Sequence, residues 1–166
     1  GTKYYVTHPL FPIGKTVAVI NLDVFPLWGE NNDVTITGYG HSDLDETVAG
    51  LAAQYGRYVM PDPDAYNGMF YRSDHFPFVQ KGIPAMFAKG WNDNRVHGKE
   101  WSKEQIARYW AETYHKPTDQ VNPETDDYSG LLQEVHLFFD LGYVLANGTD
   151  YPKWKPESEF AGILER

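Results

Sequence analysis

The imidazole of His115 stands in the run Glu112 to Val121, ETYHKPTDQV, behind a tyrosine and ahead of a lysine-proline pair. At the end of a helical run a neutral imidazole could ligate a metal, with Thr118 and Asp119 close enough to orient it. Taken by itself, it reads first as a helix C-terminal histidine facing the negative end of the dipole. A second candidate is Asp23, which interrupts the apolar run Thr16 to Phe25, TVAVINLDVF. A carboxylate leaving an apolar strand is costly if buried alone, so it calls for a metal, a cation or several donors. A salt bridge or a loop cap would serve as well. The third cluster is Ser73-Asp74-His75, three polar groups set just before an aromatic-proline turn. Consecutive side chains on an extended chain diverge, so these three do not form a Ser-His-Asp relay, and an aspartate capping a short helix explains them equally. His8, His41, His97 and His136 read as solvated or interfacial side chains.

Bringing residues 92 positions apart to one place requires a fold that gathers strand ends and helix ends. TVAVINLDVF is dense in Val and Ile, the pattern of a strand buried on both faces. DVTITGYG reads as a second strand, and SDLDETVAGLAAQYG as a capped helix with Leu44, Val48, Leu51 and Ala52 on one face. DHFPFVQKG predicts one or two helical turns closed by Gly82, followed by a short buried strand in IPAMFAKG. A helix from about Lys103 to Thr113 leads into Tyr114-His115. A last helix, DYSGLLQEVHLFFDLGYVLAN, carries Leu131, Leu132, Val135, Phe138, Phe139 and Leu141 on a broad apolar face. The mixture predicts an α/β protein: a three-layer α/β/α sandwich around a mixed, mostly parallel sheet, as a single domain over 1–166. In such sheets ligands collect beyond the carboxyl ends of the strands, where Asp23 stands.

Composition removes several partners. With 14 basic against 23 acidic residues the net charge is -9, which argues against nucleic acid. No apolar run approaches the roughly 20 residues that span a bilayer, so no membrane partner is expected. With no cysteine the chain has no disulfide and no thiolate metal site, and compartment stays open on composition.

Taken in order, INLDVF, GYGHSDLDETV, FYRSDHFPFVQKGIPAMF and YHKPTDQ resemble the C-terminal half of the secreted co-catalytic zinc aminopeptidases, the bacterial leucyl aminopeptidase-like family, from about Lys3 to Leu145. The resemblance implies a hydrolase that removes N-terminal residues from a peptide substrate with two zinc ions and a metal-activated water. Asp23 matches the family's second ligand aspartate and His115 its final ligand histidine. Ser73, Asp74 and His75 match a segment that shapes the substrate side, and Arg72 and Tyr114 flank these positions toward substrate. The first ligand His, the bridging Asp and the Glu-Glu pair with the general base lie upstream in the family pattern. The expectation is therefore an inactive fragment that holds zinc weakly or not at all and has the missing N-terminal half of the same domain as its partner. Self-association is expected through the sheet edge so exposed. The resemblance suggests a periplasmic or extracellular setting. Glutaminyl cyclase-like transferases share the fold but carry an acid where Ser73 stands and a tryptophan where Tyr114 stands. A non-catalytic interaction domain of the same fold is the other alternative.

Overall fold

The computed structural model describes residues 1–164. Its middle layer is a four-stranded sheet in the order β1-β4-β2-β3, built from β1 (Val19–Asn21), β2 (Asp33–Ile36), β3 (Tyr58–Pro61) and β4 (Ala85–Lys89). β1 lies parallel to β4 and β2 parallel to β3, whereas β2 meets β4 antiparallel with Thr35 opposite Lys89. The sheet is thus mixed and mostly parallel, the middle of the expected α/β sandwich.

Side chains alternate across the pleat, so β4 feeds two cores. Met86 and Ala88 join Val34 and Ile36 beneath α2 (Leu44–Gln54) and α5 (Ser129–Asn147), which contribute Val48, Leu51, Leu137, Phe138 and Leu141. Ala85 instead packs with Phe70, Val79 and Phe160 on the side of α3 (Phe76–Val79). α1 (Thr2–Thr7) rests on α3 through Tyr5 and Phe78, whose rings lie 5.7 Å apart. Each fully buried aliphatic side chain contributes roughly 1.5–3 kcal/mol, which makes these two clusters the main source of stability. No helix among the described residues is long and apolar enough to cross a membrane.

A buried polar network fixes the chain beyond β4. The Arg57 guanidinium donates to the Glu134 carboxylate and to the Asp33 carbonyl, both at 2.6 Å. Glu134 also accepts the Gly90 N–H at 2.8 Å, while the Asp33 carboxylate accepts those of Asn92 and Asp93 at 3.1 and 2.8 Å. Burial pushes the Glu134 carboxyl above its ordinary range, and Arg57 opposes that shift. Removing one member of such a pair typically costs about 3–5 kcal/mol, because the other charge stays buried and uncompensated.

Several expectations need correction. The strand foreseen over Thr16 to Phe25 is regular only at Val19–Asn21 and is half-exposed, because among the described residues it pairs with β4 alone. In DVTI all four residues are buried, Asp33 included, because its carboxylate receives the N–H groups just described. RYVMPDP supplies a strand, β3, that its prolines concealed. The helix before His115 begins earlier, as α4 (Gly98–Arg108). Neither Ser42 nor Asp43 caps α2 with a side-chain bond; Asp43 instead accepts the Lys153 N–H at 2.8 Å. On α5 the apolar face is split, with Leu132, Val135 and Phe139 exposed by 54%, 47% and 69%.

Candidate functional site

β1 and β4 run in the same direction, so Asp23, just past β1, and Lys89, closing β4, share one end of the sheet. The Asp23 carboxylate is exposed and accepts the Ser73 hydroxyl at 3.2 Å, and Ser73 in turn accepts the Asn21 side-chain amide at 2.9 Å. This short relay ties the SDH segment to the β1 exit and supports Asp23 without enclosing it. Val24 follows at φ +56°, a left-handed conformation that a β-branched residue adopts only under constraint. The turn is therefore held in this conformation by its surroundings.

The rest of the SDH segment diverges, as extended geometry requires. Asp74 is exposed and accepts the Thr2 hydroxyl at 2.8 Å, which fastens α1. Arg72 is exposed on the same side, lining a surface cleft with Thr2 and Gln80. His75 is fully buried between Phe70 and Phe87, with ring centroids 4.8 and 5.2 Å away. Neither of its ring nitrogens meets a partner at hydrogen-bond geometry among the described residues. Burial lowers its pKa to about 4; the Phe70 backbone and the charges of Asp74 and Asp23 offset only part of that. His75 is thus a neutral packing imidazole beneath the site.

His115 is delivered by an irregular helix end. α4 runs into a π turn over Tyr109–Thr113, closed by the Tyr114 N–H on the Tyr109 carbonyl at 2.9 Å. Single π turns of this kind cluster at functional positions. Tyr114 leaves the helix at ψ 121°, and His115 itself sits at φ +56°. Pro117 disfavours a helical Lys116 and so stops the helix from resuming. The Lys116 ammonium and the Thr118 hydroxyl donate to the carbonyls of Ala111 and Glu112. Thr118 therefore caps the turn and does not orient the ring, contrary to expectation. The His115 ring is exposed and stacks on Tyr114 at 3.9 Å.

Asp23 and His115 do not touch, but a run of contacts joins them. The Lys89 ammonium reaches the Asp23 carbonyl at 3.5 Å and lies over the Trp91 ring at 4.1 Å. Trp91 meets Trp110 at 5.8 Å, and Trp110 meets Tyr114 at 4.6 Å. Burial lowers the Lys89 pKa to about 8, with Asp23 opposing. Burial also raises Tyr109 to about 12, and Asp119, Tyr114 and Asp23 act in the same direction. Lys89, Trp91, Trp110 and Asn21 escaped the sequence reading; the signal was a lysine closing the apolar strand AMFAK.

An exposed carboxylate and an exposed imidazole are suitable metal donors, yet two donors do not complete a site. Among the described residues no three or more His, Cys, Asp or Glu side chains are grouped so as to hold a metal ion. A zinc site takes three or four protein ligands, so zinc does not fit these residues alone. The family model described as Peptidase family M28 matches residues 1–137, a span that contains both Asp23 and His115. No curated protein and no solved structure gives a match.

Proposed function

The chain belongs to peptidase family M28, and on that premise we propose that it forms part of the catalytic domain of a zinc-dependent aminopeptidase, to which Asp23 and His115 contribute one metal ligand each. The observation that carries this reading is conformational. Among the described residues only Val24 and His115 are non-glycine positions at positive φ, and they are the neighbour of one candidate ligand and the other ligand itself. Backbone held in a sparsely populated region costs of order 1–3 kcal/mol and persists where function fixes it.

Two zinc ions, once fully ligated, would supply a polarised carbonyl and a water acidic enough to attack it near neutral pH. On this reading Ser73 holds the Asp23 carboxylate, the π turn holds His115 and Tyr114 stands toward substrate beside it, while Arg72 lies on the α1 side. The remaining ligands and the general base come, on this proposal, from a further segment of the same domain that pairs with the free side of β1. The apolar flank of α5 beside β1 supports that placement: Gly142 borders Ile20, and Leu132, Val135, Phe139 and Tyr143 beyond it are exposed.

The test compares the 166-residue chain with a longer product that includes whatever precedes Gly1, both assayed on aminoacyl chromogenic substrates. The short chain is expected to be inactive. The longer one should be active, abolished by a chelator, and slowed on the order of 100-fold or more by Asp23→Asn or His115→Ala. Turnover insensitive to chelator, or unchanged in both variants, would refute the proposal.

A further inference from the structure

The segment leaving β1, the end of α4 with its π turn, and residues 119–126 enclose a cleft of about 640 Å³. That lies inside the range of about 300–1,000 Å³ typical of small-ligand sites. Phe25, Leu27, Trp28 and Tyr109 contribute an apolar, mainly aromatic part of its lining, and the rest is polar, Arg108 and Asp119 included. The rings of Trp28 and Tyr109 meet edge to face at 6.4 Å. Trp28 is anchored through its backbone: its carbonyl accepts the Asn94 side-chain amide at 3.0 Å, and the next N–H, of Gly29, donates to the Asp127 carbonyl at 3.3 Å. Yet its indole N–H is shielded from solvent without a hydrogen-bond partner among the described residues.

Position links the cleft to the candidate site. Phe25 lies just beyond Asp23 on the same strand exit, and Thr113 and Asp119, which also line the cleft, bracket His115. We propose that this cleft receives an aromatic side chain of the peptide whose scissile bond is held near Asp23 and His115, an inference that rests on the peptidase function proposed above. A flat ring gains edge-to-face contacts with Trp28 and Tyr109 that an aliphatic chain lacks, and it offers its face to the Arg108 cation. An acidic side chain is disfavoured by Asp119 and Asp126, both of which line the cleft.

The chain's five tryptophans give five indole N–H signals in a ¹⁵N-labelled sample. Trp28→Phe identifies one of them, and sequential assignment does so if that variant fails to fold. L-Tyrosinamide and L-phenylalaninamide are expected to shift the Trp28 signal saturably, at concentrations where L-alaninamide leaves it in place. Tyr109→Leu should weaken that response at least tenfold. Trp101→Phe, which removes a ring stacked on His97, should not change it. A Trp28 signal unmoved by the aromatic amides, or moved equally by L-alaninamide, overturns the proposal. The measurement needs no zinc. An active longer product whose Trp28 ignores the amides refutes the pocket alone, while amide binding beside a catalytically dead longer product refutes the peptidase reading alone.

Discussion

His75 shows how one side chain changes meaning when its surroundings are known. Beside Ser73 and Asp74 it looks reactive, yet it is buried among Phe70 and Phe87 with a pKa near 4. Its unfolded value is about 6.5, so the unfolded chain takes up the proton first as pH falls. Stability is therefore undiminished by this group above pH 6.5, declines as pH falls toward 4, and has lost the full contribution below that. A shift of this size corresponds to about 3 kcal/mol. His75→Phe should flatten that part of the profile, as read from urea midpoints between pH 7 and pH 4. An unchanged slope would mean that His75 is already solvated in the folded protein.

Elements are positioned here by close backbone contact as much as by side-chain packing. Gly130 opens α5 against the loop after β1, and a Cβ there would overlap the Gly29 carbonyl oxygen. Gly142, on the same helix, meets only the Ile20 side chain, at 4.0 Å. Inside a helix, propensity favours Ala over Gly by about 0.8–1 kcal/mol, which applies to Gly142. Gly142→Ala should accordingly raise the thermal midpoint, whereas Gly130→Ala should lower it, since backbone must move to admit the methyl group. If both substitutions stabilise, α5 does not sit against Gly29 as described. The contrast bears on function because the loop at Gly29 continues into Trp28 and the proposed aromatic cleft.

For the molecule as a whole the decisive feature is the open side at β1. Among the described residues β1 pairs only with β4, and the flank of α5 beside it exposes Phe139 and Tyr143 by 69% and 62%. An edge strand with one side unpaired, beside an exposed apolar helix flank, is prone to association. In the isolated chain we expect that face to be covered by a second copy, giving concentration-dependent mass in sedimentation equilibrium. Phe139→Glu with Tyr143→Lys should restore a monomer without loss of helix signal. A monomeric parent across the micromolar range would show that the face tolerates water.

The sequence determined what local chemistry and periodicity can determine. The 3.6-residue spacing of α2 and α5 was legible, as were the short buried strand before Lys89, the single turn closed by Gly82 and the halt of a helix at His115, because each depends on neighbours within a few positions. Asp23 and His115 stood out because a carboxylate and an imidazole at the ends of regular elements are conspicuous by type. β3 was hidden behind prolines, and the exposure of β1 depends on how many strands lie beside it, a fact no single segment contains. The burial of Asp33 and His75, the chain of rings from Lys89 to His115 and the cleft wall at Trp28 likewise bring together residues tens of positions apart. Such contacts are decided by tertiary packing, since burial and desolvation belong to the space a side chain occupies and not to its place along the chain.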